Sequence, residues 1–208
     1  MKELTSNENN KIFLLLTKIG DLIILNFLFI CTCIPVITVG PAISAMYYVT
    51  LKSSKDEESY ILKSYFKCFK SNCTQGIYIW IVLVCMTIIC LLDYQYYSKV
   101  YDNFNLAISF LIGCFMLVVA IIFSYSFVLL AKFNNTIKKI FYNSILIGLG
   151  HFPWTVIIIF INSFPVICIF FDIYTILYII PIYLIIGFSF TAYINSLVFN
   201  RVLKRYYI

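Results

Sequence analysis

Five long stretches without a charged residue constrain this chain more than any other feature. They cover residues 22–51, 71–92, 103–131, 140–171 and 173–200. A helix needs roughly 20 apolar residues to cross the hydrocarbon core of a bilayer, and each stretch is long enough. Hydrophobic residues make up 62% of the chain and charged residues only 12%, which excludes an ordinary soluble domain. The sequence therefore predicts an all-α polytopic transmembrane helical bundle, with residues 1–208 forming a single integral membrane domain.

The first stretch is interrupted in its middle by Pro35, Gly40 and Pro41. Proline lacks a backbone N–H and disfavours helix at the preceding residue, but it is well suited to begin a helix. Residues 12–34 would form a helix of about 34 Å, whereas residues 41–51 would form one of only about 16 Å. We expect the link to re-enter the membrane in extended form, and a half-helix to begin at Pro41 near the midplane.

The other stretches predict four further full helices. The complete set of predicted spans is 12–34, a broken segment at 36–51, 76–92, 104–131, 143–164 and 175–200. A cytoplasmic amphipathic segment is predicted at residues 57–75.

Basic residues form four groups between the predicted spans. The groups are Lys2 and Lys11; Lys52, Lys55, Lys63, Lys67 and Lys70; Lys132, Lys138 and Lys139; and Arg201, Lys204 and Arg205. If residues 36–51 return to the starting side, all four groups lie on one side, and the opposite side has only Lys99. This positive-inside pattern predicts cytoplasmic N- and C-termini. If residues 36–51 do not return, only the N-terminus changes side.

A half-helix that starts inside the membrane directs its free amides and positive dipole end at whatever lies there. One hypothesis is a small polar or anionic site at the broken helix, formed by Asn26, Thr38, Gly40 and Pro41. The alternative is a tight structural turn whose amides are capped by Thr38, Asn26 or a neighbouring helix.

Lys18 and Asp21 are the charged residues of the first span. They are three residues apart, which allows an intramembrane charge pair on one helix face. Charged groups inside a bilayer are costly, so such residues usually have partners or functions. A proton or ion pathway is the alternative, but it needs partners on other helices, and the only histidine is His151.

Helical spacing after residue 60 predicts two stripes on one helix. Lys63, Lys67 and Lys70 form the basic stripe, and Leu62, Phe66, Phe69 and Cys73 form the apolar stripe. This pattern is typical of a helix that lies in the membrane interface. Lys63, Phe66, Lys67 and Lys70 are therefore a candidate surface for anionic lipid or for a cytoplasmic partner protein.

Motifs for catalysis are missing from the sequence. It has no phosphate-binding glycine loop, no serine elbow and no clustered carboxylates. The eight cysteines lack the spacing of a zinc site. We expect no enzyme activity, no catalytic residue, no cofactor and no metal. Nucleic acid is not an expected partner, because the basic residues follow membrane topology.

Residues 20–49, GDLIILNFLFICTCIPVITVGPAISAMYYV, resemble the opening signature of the YesL family of bacterial membrane proteins, a domain-of-unknown-function family. The following YFKCFKSNCTQGIYIW resembles that family's Phe-x-x-Phe-Lys-x-Asn loop, and HFPWT at residues 151–155 resembles its later turn, with Phe152 in place of the usual leucine. The likeness is strongest in the first third of the chain.

The resemblance implies a multi-pass protein of the bacterial plasma membrane with no established reaction. Members are often encoded beside carbohydrate ABC importers, glycan-degrading enzymes and sensor kinases. We therefore expect an accessory or regulatory component of carbohydrate uptake, with ABC permease or ATPase subunits as partners. The alternatives are an autonomous small-solute transporter or channel and a membrane scaffold for a sensor kinase. The sequence leaves the oligomeric state open.

Overall fold

Helices account for every regular element in the computed structural model, which describes residues 2–55, 60–100, 106–133, 135–171 and 174–204. The predicted all-α fold is therefore confirmed. The α-helices are α1 (Lys2–Cys33), α2 (Val39–Ser53), α3 (Ile61–Ser71), α4 (Cys73–Val100), α5 (Leu106–Lys132), α6 (Ile137–Gly150), α7 (Phe152–Phe171), α8 (Thr175–Ile182) and α9 (Phe188–Leu203). A 3-10 turn (Val36–Thr38) precedes α2, and a π turn (Tyr183–Gly187) joins α8 to α9.

Four helical segments in the described part of the chain are long and apolar enough to cross a membrane. They are Leu16–Cys33, Cys73–Tyr97, Ile108–Lys132 and Ile176–Leu203. A fifth crossing is possible if α6 and α7 act together, although they are bent by 107° relative to each other. These long apolar helices identify a membrane protein.

The predicted span 143–164 differs from the structure, because α6 ends at Gly150 and α7 begins at Phe152. Pro153 has no N–H to continue the hydrogen bonds of α6, which accounts for a break here. Thr155 stabilises the bend, since its hydroxyl donates to the Gly148 carbonyl at 2.7 Å and lies 2.8 Å from the Tyr125 hydroxyl of α5.

Helix α2 lies at the centre of the bundle, in contact with α1, α3, α4, α5 and α9. Its buried residues are Gly40, Pro41, Ala42, Ser44, Ala45, Met46, Tyr47, Val49, Thr50 and Leu51. Many of them are small, which allows neighbouring helix backbones to approach closely. The short broken segment is thus the core of the fold.

The link before α2 differs from the expected extended re-entry. Pro35 is extended, but the chain then forms the 3-10 turn, and α2 begins at Val39, two residues before Pro41. A proline is tolerated there because the N–H groups of the first helical turn have no partner within the helix. Ile34, Val36 and Ile37 beside the break are 76%, 71% and 51% exposed, which suits contact with lipid.

The carboxyl ends of α2, α5 and α9 lie together. Thr50 of α2 hydrogen-bonds Ser196 of α9 at 2.7 Å, and one helical turn further on Asn200 donates to the Leu51 carbonyl at 3.2 Å. Helices α2 and α9 therefore run parallel. Lys132, at the end of α5, lines the same small cavity as Lys52. Three of the basic groups in the sequence thus meet at one end of the bundle.

Candidate functional site

Thr38 closes the break between α1 and α2. Its hydroxyl is positioned to donate to the carbonyls of Thr32, at 2.6 Å, and Pro35, at 2.7 Å. The Thr32 carbonyl belongs to the last turn of α1, where carbonyls lack helical donors. The Pro35 carbonyl also accepts the Thr38 backbone N–H at 2.8 Å. Thr38 is the N-cap residue of α2, but its side chain does not cap that helix. The side chain thus stabilises the end of the first helix.

Gly40 and Pro41 form a close crossing with Gly76 of α4. A methyl group added at Gly40 would overlap the Gly76 carbonyl oxygen, and one added at Gly76 would lie 2.7 Å from the backbone nitrogen of Pro41. Trp80, one turn further along α4, also contacts the Gly40 position. Gly76 and Trp80 are near the start of the Cys73–Tyr97 span, so the helix break lies alongside the first third of that span.

Asn26 joins α1 to the π turn and is fully buried. Its Nδ2 donates to the carbonyls of Tyr183, at 3.1 Å, and Leu184, at 2.8 Å, and its Oδ1 accepts from the Ser189 backbone N–H at 3.1 Å. Pro181 and the π turn disturb the regular hydrogen bonding of α8 and α9 at this place. Asn26 supplies substitute partners from another helix.

The four residues of the predicted polar site are therefore not assembled into one pocket. Asn26 bonds to the π turn, Thr38 to the end of α1, and Gly40 and Pro41 pack on α4. These contacts favour the structural alternative for the turn, and ligand binding by this group of four stays a prediction.

A cavity of about 300 Å³ lies beside the buried face of α2. Its wall combines aromatic rings with uncharged polar groups, and no lining residue is charged. The aromatic and polar lining residues are Phe29, Tyr47, Trp80, Phe123, Ser124, Asn162, Tyr183, Phe188 and Thr191, and the apolar ones are Val39, Ile43, Met46, Pro165 and Ala192. The volume is at the lower end of the range of about 300–1,000 Å³ for small-molecule pockets. We call this space the α2 cavity.

A polar chain of three residues supports the wall of the α2 cavity. Asn195 of α9 is fully buried, and its Nδ2 donates to Asn162 Oδ1 at 2.7 Å and to the Tyr47 hydroxyl at 3.4 Å. Tyr47 and Asn162 both line the cavity, on α2 and α7. Asn195 therefore holds two polar groups of the wall in position from behind.

A second cavity of about 430 Å³ lies on the other side of Phe123 and Ser124. It shares those two residues and Asn162 with the α2 cavity and extends along α4, α5 and α7 to Thr87 and Ser163. Asn162 thus contributes to both spaces.

The sequence interpretation missed Asn162 and Asn195 as possible site residues. Both are carboxamides in long apolar stretches, and a polar group in such a place usually has a partner on another helix. That signal was present, but it does not reveal which helices come together.

Helix α3 exposes Lys63, Phe66, Lys67 and Lys70, the residues of the predicted lipid or partner surface. The predicted apolar stripe is different, however: Tyr65 and Cys68 are buried, whereas Leu62 and Phe66 are 56% and 47% exposed. The reason is that α3 packs lengthwise on α2, which covers the Tyr65 face instead. The exposed face therefore mixes lysine with large apolar side chains. Residues 57–59 of the predicted segment lie outside the described residues.

Asn72 connects α3 to two other helices. Its Nδ2 lies 3.2 Å from Ser44 Oγ of α2 and 3.1 Å from the Leu130 carbonyl of α5. Burial raises the pKa of the neighbouring Cys68 thiol to about 11, an effect that hydrogen bonds with Ser44 and Asn72 partly oppose. Burial likewise raises the pKa of Tyr65, whose hydroxyl is 2.6 Å from Thr32 Oγ1. Both groups stay neutral at physiological pH.

Lys18 and Asp21 are half-buried on α1. Lys18 has a contact within the protein, and its pairing with Asp21 stays a prediction. His151 lies between α6 and α7, where its carbonyl accepts the Thr155 N–H at 3.1 Å. In the part of the chain that the structure describes, no three histidine, cysteine or acidic residues are grouped to hold a metal.

Comparison with known proteins gives one family match. Residues 22–94 match the family model described as "Protein of unknown function, DUF624". No curated protein and no solved structure matches the chain. The matched region begins in α1 and ends in α4, so it contains the broken helix, the Gly40–Gly76 crossing and α3. In this region, the chain is similar to a family of unknown function.

Proposed function

We propose that this protein is an accessory or regulatory component of carbohydrate uptake by an ABC-type transporter in a bacterial plasma membrane. We further propose that the α2 cavity holds the neutral, hydroxylated solute to which the protein responds. The make-up of the cavity wall carries this proposal. Aromatic rings suit the apolar faces of a sugar ring, while amide and hydroxyl groups suit its hydroxyls.

The absence of charge among the lining residues selects the ligand class. An ionic ligand would lose its hydration on entering the cavity and would meet no opposite charge among the lining residues. Burying an unpaired charge in this way is costly. A neutral ligand with several hydroxyls would hydrogen-bond Asn162, Tyr47 and Ser124 and stack on Trp80 or Phe123. The association with carbohydrate uptake itself rests on the resemblance to the YesL family.

Tryptophan fluorescence tests ligand binding directly, because Trp80 lines the cavity and the chain has only one other tryptophan, Trp154. In a Trp154→Phe background, we expect a mono- or disaccharide to change Trp80 emission saturably. Asn162→Ala should weaken that binding about 5- to 10-fold, since one hydrogen bond is lost. The matched control Asn143→Ala, on α6, should bind normally. An unchanged emission across a broad sugar panel would contradict the proposed ligand.

Partner capture tests the accessory role. The full protein, extracted gently from its native membrane by a C-terminal tag, should carry permease or ATPase subunits in stoichiometric amounts. Lys63→Glu with Lys67→Glu reverses charge on the exposed face of α3 and should release them, if that face is the docking surface. Capture of a sensor kinase instead would favour the scaffold alternative.

An autonomous transporter is the second candidate, and the central position of α2 favours it. Short, broken helices beside a cavity are a common feature of transporter binding sites. Solute flux by the purified protein in liposomes, without any partner, would support this candidate over the accessory role.

A further inference from the structure

A further cavity, of about 260 Å³, lies where the carboxyl ends of α2, α5 and α9 meet. Its lining residues are Tyr48, Leu51, Lys52, Lys55, Ala131, Lys132 and Asn200. Three of them are lysines, and none is acidic. We call this space the basic cavity. It is separate from the α2 cavity, with which it shares no lining residue.

The positions of the lysines show that the basic cavity belongs to the membrane interface. Lys132 is the last residue of the candidate span Ile108–Lys132, and Lys52 is in the last turn of α2. The Nζ atom of Lys132 is shielded from solvent, while that of Lys52 lies 4.6 Å from the centre of the Tyr48 ring. The cavity therefore combines ammonium groups with apolar surface at the depth of lipid headgroups.

Helix polarity alone does not account for this arrangement. Lysines are favoured at helix carboxyl ends because the dipole is negative there. That effect explains Lys52 at the end of α2 and Lys132 at the end of α5, but not why both line one small cavity together with Lys55. An anion in the cavity would be attracted by all three ammonium groups.

The walls of the basic cavity are held in place before any ligand binds. Asn200 Nδ2 donates to the Leu51 carbonyl at 3.2 Å and to Ser54 Oγ at 2.6 Å, which fixes the end of α9 to the end of α2. Lys55 and Lys132 also make contacts within the protein. A ligand would add to this network rather than create it.

We propose that the basic cavity binds the phosphate of an anionic phospholipid from the adjacent leaflet. Lys52, Lys55 and Lys132 would surround the phosphate, while Tyr48, Leu51 and Ala131 would contact the glycerol and the first carbons of the acyl chains. Basic pockets between transmembrane helices are known as sites for lipid headgroups. The bound lipid would fasten together the carboxyl ends of α2, α5 and α9.

Thermal unfolding of the full protein in neutral detergent tests this site. Added phosphatidylglycerol should raise the unfolding midpoint saturably by several degrees, whereas phosphatidylcholine should not. The variant Lys52→Gln/Lys55→Gln/Lys132→Gln should lose this shift. The control Lys138→Gln/Lys139→Gln/Lys204→Gln removes the same charge from exposed positions that do not line the cavity and should keep it. No shift in the unmodified protein, or equal loss in both variants, would overturn the proposal.

Two further arms identify the source of the negative charge. Glycerol phosphate should be ineffective, and a shift equal to that with phosphatidylglycerol would mean that the site takes free phosphate rather than lipid.

The chain has its own acidic residues directly after Lys55, namely Asp56, Glu57 and Glu58, which lie outside the described residues. Neutralising them should leave the lipid effect intact or enlarge it; loss of the effect would contradict the proposal.

Native mass spectrometry provides a second readout in case the triple variant does not fold. The protein released from detergent should retain one phosphatidylglycerol, and the single variant Lys52→Gln should retain it at a several-fold lower occupancy. Equal occupancy in Lys52→Gln and Lys138→Gln would also overturn the proposal.

Discussion

Asn26 shows how one side chain replaces backbone hydrogen bonds that a helix has lost. Its three bonds reach two carbonyls and one N–H around the π turn. In Asn26→Leu, the Tyr183 and Leu184 carbonyls and the Ser189 N–H would each lose their hydrogen bond to this buried side chain. We expect the free energy of unfolding to fall by about 2 kcal/mol, because side-chain hydrogen bonds in membranes contribute modestly while unsatisfied buried groups are costly.

Reversible unfolding in mixed detergent micelles measures the Asn26 effect. The matched control is Asn143→Leu, since Asn143 is half-buried on α6 and is not part of the π-turn contacts. Its substitution should change stability by less than about 0.5 kcal/mol. Equal destabilisation by both substitutions would contradict the special role of Asn26.

Cys68 provides a second prediction at the residue scale. Because burial raises its pKa from 9.0 to about 11, its thiolate fraction at pH 8 should be about 100-fold below that of an ordinary cysteine. In a variant that retains only this cysteine, maleimide labelling should be slow and should accelerate as the pH rises towards 11. Unfolding in denaturant should restore rapid labelling, and fast labelling of the folded protein would contradict the buried position.

The crossing of α2 and α4 gives a prediction for helix packing. Gly76→Ala should destabilise the protein by about 1–3 kcal/mol, because the methyl group has no room against Pro41. Gly113→Ala on α5 is the control, since nothing lies within 4 Å of the added methyl group. It should be neutral or stabilising by up to about 1 kcal/mol, as alanine favours helix over glycine. Thermal unfolding of both variants measures the difference, and similar midpoints would contradict a tight crossing.

At the scale of elements, the sequence predicted the helices better than their ends. Uncharged length was enough to identify α1, α4, α5 and the α8–α9 pair, because crossing a bilayer sets a minimum length. Local signals at Pro35, Pro41 and Pro153 indicated breaks without giving their geometry. The 107° bend involves a contact of Thr155 with Tyr125 of another helix, which sequence spacing does not reveal. The 3-10 turn depends on local hydrogen bonds of Thr38, whose geometry the proline positions do not specify.

The candidate site was less predictable for the same reason. The group Asn26, Thr38, Gly40 and Pro41 is close in sequence, but its members face different neighbours. The α2 cavity instead brings together residues from α1, α2, α4, α5, α7 and the α8–α9 pair. Its polar wall depends on Asn195 meeting Asn162 and Tyr47 across three helices, which requires the packed structure.

The whole molecule has a basic end, and this end predicts its orientation in the membrane. Contacts between α2 and α9, together with the basic cavity, place Lys52, Lys132 and Arg201 at the ends of helices that finish together. The positive-inside tendency then predicts that this end lies in the cytoplasm. Since α1 and α2 are joined by a short turn, the N-terminus should lie on the same side.

Cysteine accessibility tests this orientation in a background without native cysteines. A membrane-impermeant maleimide applied to intact cells should label Asn103→Cys, whose position lies between α4 and α5 in the sequence. The variants Asn9→Cys, Lys55→Cys and Lys204→Cys should label only after permeabilisation, because their positions belong to the basic end. Labelling of Asn9→Cys in intact cells, with Lys55→Cys still protected, would mean that the N-terminus lies outside and that α1 and α2 together cross once. Labelling of Lys55→Cys and Lys204→Cys in intact cells would reverse the whole molecule, and the phospholipid proposed for the basic cavity would then come from the outer leaflet.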